Sequence, residues 1–121
     1  MFEITRQFLI GSLAALLLGA SVEPSSAQNY TPTRFRVLVS GQGPDVIFIP
    51  GLGSSRDVWA AEANLLTATH RVHLVHVNGF AGQHAPEGGG EVIAPLVEDL
   101  ARYIEANNLD RPAIIGHSMG G

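Results

Sequence analysis

A serine hydroxyl attacks a carbonyl efficiently only where it stands clear of the backbone and where donors wait for the charge that develops on the substrate oxygen. The run Pro112-Ala113-Ile114-Ile115-Gly116-His117-Ser118-Met119-Gly120-Gly121 offers such a setting. Ala113 to Ile115 reads as a short buried strand. Gly116 and Gly120 stand two residues either side of Ser118, where a strand-to-helix turn brings backbone against backbone and a Cβ would clash. A helix starting directly after Ser118 leaves the Met119 N–H unpaired and aimed at a developing oxyanion, so Met119 is expected to act through its backbone. A bare Gly-x-Ser-x-Gly also occurs by chance in many loops. The strand before it and the second glycine after it favour a nucleophile, Ser118.

The five histidines are weaker candidates. His117 adjoins Ser118, but successive residues at a strand end point apart; it is expected to pack beneath the turn or line a pocket. His73 and His76 fall on opposite faces of one strand, which argues against a shared metal, and no metal site is expected. His70 reads as a solvated residue before that strand. His84, in a loop, is the one substitute base the segment offers.

The elements that must position Ser118 alternate regularly. Phe35 to Val39 reads as a strand, Ser40 to Pro44 as a turn, and Val46 to Ile49 as a strand covered on both faces. The hairpin-like turn predicts that the first strand runs antiparallel to the second. Ser54 and Asp57 have capping-box-like spacing before a helix expected over Arg56 to Ala68. Arg71 to Val77 follows as a strand, then a glycine-rich loop from Asn78 to Gly90. Val92, Ile93, Leu96, Val97, Leu100, Tyr103 and Ile104 recur at helical spacing, with Glu98, Asp99, Arg102 and Glu105 assigned to the other side. Pro95 belongs in a first turn, which puts the start near Ala94 rather than at Glu91. Strand, helix, strand, helix, strand predicts an α/β fold: a parallel sheet with helical crossovers in three α/β/α layers, its ligands at the carboxyl ends of the strands.

With this order in place, residues 35–121 resemble the N-terminal part of an α/β-hydrolase-fold protein of the serine-hydrolase, esterase-like kind. The resemblance rests on the Gly116-His117-Ser118-Met119-Gly120-Gly121 elbow and on Pro50-Gly51-Leu52-Gly53 at the correct spacing. It implies that the Leu52 backbone N–H is a second oxyanion donor, with Pro50 where histidine often stands. It also places Gly51, Gly53 and Phe80 about the pocket together with His117. The loop Asn78 to Gln83 departs from the family's Asp-x-Arg-Gly-x-Gly-x-Ser, matching it in the aromatic and the glycines alone. The resemblance further implies that an acid and a histidine follow the nucleophile in sequence, beyond residue 121. The 121-residue chain is therefore expected to be an incomplete hydrolase domain, truncated after the elbow, inactive alone and prone to self-association through an open strand edge.

Residues 1–27 read as a signal peptide. Arg6 precedes the apolar run Phe8 to Ala20, and Ser25 and Ala27 frame a cleavage point before Gln28. That run is short of the ~20 residues needed to cross a bilayer, so an uncleaved anchor is the lesser alternative, and no stable membrane insertion is expected after cleavage. Export to a periplasmic or extracellular space follows, leaving 28–121 as the mature segment. The net charge of −4 falls to −3 once Glu3, Arg6 and Glu23 are removed, and the chain has no lysine. Nothing here offers nucleic acid a basic surface. The absence of cysteine removes disulfides, thiol nucleophiles and thiolate metal sites.

The expected function is hydrolysis of a small ester or related acyl substrate through an acyl-enzyme at Ser118, without a cofactor. Two alternatives keep the same residues: a catalytically inactive fragment or non-enzymatic binding protein, and a cofactorless peroxidase or carbon–carbon bond hydrolase. Epoxide and haloalkane hydrolysis commonly use aspartate at the elbow, so Ser118 argues against them.

Overall fold

Apolar residues in β2 (Asp45–Ile49) and β3 (Arg71–Val77) are buried on both faces, as strands sandwiched between helical layers must be. The computed structural model describes residues 30–121. The leader, its apolar run and the cleavage point before Gln28 lie outside the described residues. Four strands form one open, mostly parallel sheet in the order β1-β3-β2-β4, with β1 spanning Phe35–Ser40 and β4 spanning Ala113–Gly116. β2 runs parallel to both β3 and β4, while β1 is antiparallel to β3.

The first two strands are thus not a hairpin pair. They run in opposite senses, but β3 lies between them, with Phe35 opposite Val77 and Val46 opposite Val72. The reason lies in exposure: β1 buries Phe35 and leaves Arg36, Leu38, Val39 and Ser40 exposed, a pattern suited to a sheet edge, whereas Val46 to Ile49 are all buried and need a neighbour on each side. The Ser40–Pro44 connection therefore spans the width of β3, and the Arg71 N–H donates to the Pro44 carbonyl at 3.0 Å.

Successive strand residues feed two cores. On one face Val46, Phe48, Val72 and Leu74 pack with Ala63 of α1 (Ala60–Leu66), joined by Trp59 and Leu66. On the other, Phe35, Ile47, Ile49, Val75 and Val77 meet Leu96 and Tyr103 of α2 (Ile93–Ala106). This makes three layers, α/β/α. The helix expected over Arg56 to Ala68 is a 3-10 turn at Arg56–Trp59 followed by α1, and it is capped by Ser55 rather than Ser54: the Asp57 N–H donates to Ser55 Oγ at 3.0 Å. α2 begins at Ile93, so Pro95 is its third residue, where no intrahelical N–H bond is required.

One residue of α2 departs from its expected side. Asp99, assigned to the polar face with Glu98 and Arg102, is 2% exposed. It lies three residues after Leu96 and four before Tyr103, which puts it on the buried stripe. Its carboxylate accepts the Thr33 N–H at 2.8 Å, the Arg34 N–H at 2.7 Å and the Tyr30 hydroxyl, tying the segment before β1 onto the helix.

A second polar network crosses the amino ends of β2 and β3. The Arg71 guanidinium forms two bonds to Asp45, that from Nη2 at 2.9 Å. His73 Nε2 lies 2.8 Å from Asp45 Oδ1, and its Nδ1 lies 2.7 Å from the Tyr103 hydroxyl. In a neutral imidazole beside an ionised Asp45, Nε2 carries the proton it donates to the carboxylate and Nδ1 accepts from Tyr103. The bond from Arg71, assisted by that from His73, holds the Asp45 carboxyl below the usual aspartate range against the opposing effect of burial. Burial pushes the Tyr103 phenol up.

Candidate active site at the carboxyl end of the sheet

β2 and β4 end side by side, and the loops leaving them meet. The ladder pairs Ile49 with Gly116, and the His117 N–H donates to the Ile49 carbonyl at 3.3 Å, so β4 is held in register up to the residue before Ser118. The chain then turns sharply into a 3-10 turn, Ser118–Gly120, closed by bonds from the Gly120 N–H to His117 O and from the Gly121 N–H to Ser118 O, both 3.0 Å. Ser118 adopts φ = +56°, a left-handed conformation uncommon for a residue with a side chain.

The flanking glycines are there for space. A Cβ on Gly116 would stand 1.8 Å from the Gly120 carbonyl oxygen, and one on Gly120 would stand 2.5 Å from that of Ile49. No rotamer change relieves either clash, because the obstructing atoms are backbone. Gly51 closes the arrangement from the β2 side: a Cβ there would lie 3.1 Å from His117 Nδ1 and 3.3 Å from Ser118 Cβ.

Ser118 and His117 are exposed, and Met119 is half-buried against the α2-side core. Neither the Leu52 nor the Met119 N–H donates a backbone hydrogen bond among the described residues, although the Ser54 N–H, two residues after Leu52, donates to Gly51 O at 3.1 Å. Leu52 is 59% exposed, and Gly53 adopts φ = +79° with open space around it. His117 lines a cavity of about 240 Å³ with Ser54, Val58 and Trp59.

Not every residue picked from the sequence gathers there. Phe80 lines a different cavity of about 160 Å³, between the loop after β3 and the start of α2, with Arg34, Pro86 and Glu91. His73 and His76 are buried on opposite faces of β3, His84 is exposed and accepts the Gly79 N–H through its carbonyl, and His70 Nδ1 lies 2.8 Å from Thr69 Oγ1. Among the described residues no group of three or more His, Asp or Glu side chains is placed to hold a metal, and no helix is long and apolar enough to cross a membrane. Trp59, absent from the candidates, forms one wall of the elbow cavity; its stacking on Phe48, with centroids 5.0 Å apart, fixes it there.

An open three-layer sheet with a serine on a strained turn after its fourth strand defines a fold class, and comparison with known proteins agrees. A family model described as alpha/beta hydrolase fold matches residues 44–121, more than half of the chain, and the chain belongs to that family. It is 33% identical over 81 residues to the pimeloyl-acyl-carrier protein methyl ester esterase of Aeromonas salmonicida (strain A449), a match covering 67% of this chain and 30% of that protein. It is 30% identical over 89 residues to the dihydrolipoyllysine-residue acetyltransferase component of the acetoin cleaving system of Cupriavidus necator, covering 73% of this chain and 24% of that one. Among solved structures, a marine microorganism esterase superposes with a TM-score of 0.62 at 29% identity, covering 73% of this chain and 33% of the esterase. An esterase from Exiguobacterium antarcticum superposes at 0.65 with 21% identity, a likeness of fold, covering 74% and 35%. The chain thus spans about a third or less of the length of these relatives.

Proposed function

We propose that the protein is the N-terminal part of a serine hydrolase that cleaves a small ester through an acyl-enzyme at Ser118. The observation that supports the reading is the backbone of Ser118: an exposed residue at φ = +56° between glycines that admit no Cβ, just past the carboxyl end of β4. Ala81, Asn108 and Arg111 also adopt positive φ, and what distinguishes Ser118 is that its conformation coincides with flanking glycines that have no room for a Cβ. The Ser118 Oγ attacks the ester carbonyl and gives up its proton to a base, which the family resemblance places after the elbow. The amides of Leu52 and Met119 receive the oxyanion. The alkoxide leaves with a proton, and water then cleaves the Ser118 ester to release the acid and restore the hydroxyl. An ester substrate is supported by the curated and structural relatives that are themselves named esterases.

The test is Ser118→Ala in the protein at the full length of its relatives, assayed on a short-chain p-nitrophenyl ester and with a fluorophosphonate probe. Turnover is expected to fall by up to about 10⁶ and labelling to vanish. Turnover or labelling that survives in the alanine protein refutes the assignment. Export is part of the same proposal and rests on the apolar run Phe8 to Ala20 and the Ser25, Ala27 pair. The secreted product is expected to begin at Gln28 by N-terminal sequencing, and one that retains Phe8 would remove this part of the reading.

A further inference from the structure

The arginines divide into two groups. Arg71, Arg102 and Arg111 face the carboxylates of Asp45, Glu98 and Asp110, the last two pairs at 3.7 and 3.5 Å. Arg34, Arg36 and Arg56 pair with no carboxylate among the described residues. Arg34 lines cavities that also hold Glu91 or Glu87, so acid stands near it. Arg36 and Arg56 differ: together they line one cavity of about 580 Å³, with Thr31 and Asn78 as its other polar residues and no acid in its wall. Asp57, next in sequence to Arg56, accepts instead from Ser55 Oγ at 2.9 Å. Directly across the ladder from Arg36, His76 is buried and its Nε2 has no hydrogen-bond partner among the described residues, so this corner of the sheet carries polar capacity that the described chain does not meet.

We propose that Arg36 and Arg56 form an anion site for a carboxylate or phosphate group carried by a ligand. Two positive charges on a cavity whose wall holds no acid raise the local potential, and an oxyanion between them offsets a repulsion that no described carboxylate relieves. Guanidinium groups suit that role, since each presents a planar pair of N–H donors to two oxygens at once. The wall is built before any ligand arrives. The Asn78 N–H donates to the Arg34 carbonyl and its Nδ2 to the Thr33 carbonyl, both at 2.9 Å, while Asp99 holds the Thr33 and Arg34 N–H groups from α2. The segment that carries Thr31 is thus bonded from two sides, and less order has to be imposed on binding. β1 is antiparallel to β3, so Arg36 near its amino end and Arg56 after the loop from β2 both lie at the end of the sheet where Ser118 stands. The strand order sets β1 three spacings from β4, roughly 14 Å. The site is therefore distinct from the elbow and does not depend on the reading of Ser118; it can hold either a free anion or the far end of an ester substrate.

The probe is inorganic phosphate, titrated by calorimetry at low salt into the protein at the full length of its relatives and into Arg36→Gln, Arg56→Gln and Arg111→Gln. Arg111→Gln removes the same charge at the opposite end of the sheet, from an exposed side chain before β4. Saturable binding to wild type is expected to weaken about tenfold or more in Arg36→Gln and in Arg56→Gln, and to stay within about twofold in Arg111→Gln. Neither arginine of the site has an ion pair to lose among the described residues, so both variants are expected to keep the wild-type thermal midpoint. No saturable binding to wild type, unchanged binding in either site variant, or an equal loss in Arg111→Gln overturns the proposal. Turnover of a neutral ethyl ester and of the monoethyl ester of a dicarboxylic acid tells the two sources apart. A KM raised by the site variants for the carboxylate ester alone assigns the anion to the substrate, and KM values unchanged for both esters, with phosphate binding lost, assign it to a separate ligand. A KM raised equally for both esters would place the arginines in general contact with substrate and overturn the anion site.

Discussion

At the carboxyl ends of β2 and β4 the geometry is carried by backbone: a left-handed Ser118, two glycines with no room for a Cβ, and carbonyls of Ile49 and Gly120 packed against them. At the amino ends of β2 and β3 it is carried by side chains, the bonded series Arg71, Asp45, His73 and Tyr103. The difference separates two uses of a parallel sheet. Backbone packing leaves the serine side chain exposed and unencumbered, which suits a group that must meet a substrate. Side-chain bonding consumes the polar groups it orders, so the Asp–His–Tyr series at the other end is engaged in its own bonds, although its residue types match those of a catalytic relay.

The largest effect expected from this contrast lies at the elbow. Gly116→Val should prevent the turn from closing, because its Cβ would start 1.8 Å from the Gly120 carbonyl oxygen and only backbone movement can relieve it. A loss of more than about 4 kcal/mol is expected, most of the stability of a marginal domain. Urea unfolding followed by far-ultraviolet dichroism measures it. A cooperative transition within about 1 kcal/mol of wild type would show that the elbow is softer than its packing implies.

The same contrast explains what could be read from the chain alone. Backbone constraints leave their mark as residue types: glycine stands where a Cβ cannot fit, as at Gly116 and Gly120, or where φ is positive, as at Gly53, so both glycine-bearing turns were legible, as were the apolar run of β2, the strand β3 and the periodicity of α2. Polar side chains that fold inward leave no such mark. Asp45 and Arg71 look like ordinary charged residues at strand starts, and Asp99 looks like its exposed neighbour Glu98, although its position between Leu96 and Tyr103 on the helix stripe was a usable signal. The neighbour of β1 was misread for a different reason. A glycine-rich turn specifies a change of direction, but which strand fills the adjacent place depends on the burial demanded by β2 on both of its edges.

At the amino end the effects should be smaller and one of them should depend on pH. Asp45→Asn removes the charge that Arg71 and His73 share and sets an amide NH₂ against one of their donors. Arg71 is 42% exposed and can turn to water, which limits the expected loss to about 2 kcal/mol at neutral pH. The Asp45 carboxyl is held below the usual range in the folded chain, so its contribution is complete above the ordinary aspartate pKa and disappears as pH falls through the folded value. The gap between wild type and Asp45→Asn in urea unfolding should therefore close on acidification. A gap that stays constant would mean that the carboxylate contributes shape and not charge.

Tyr103→Phe should be the mildest of these changes. The ring remains, with its edge-on packing against Phe35 at a centroid distance of 5.6 Å and its place in the α2-side core, so little apolar contact is lost. What goes is the hydroxyl that lies 2.7 Å from His73 Nδ1. An acceptor nitrogen left without its donor in a buried site costs about 1 kcal/mol, and the bond from His73 Nε2 to Asp45 survives to keep the imidazole in place. Unfolding of the single and double variants measures the coupling directly. If the additive sum of Asp45→Asn and Tyr103→Phe matches the double variant within about 0.5 kcal/mol, the imidazole holds two independent bonds. If Tyr103→Phe alone costs as much as Asp45→Asn, the series acts as one unit and side-chain bonding at this end is as stringent as backbone packing at the other.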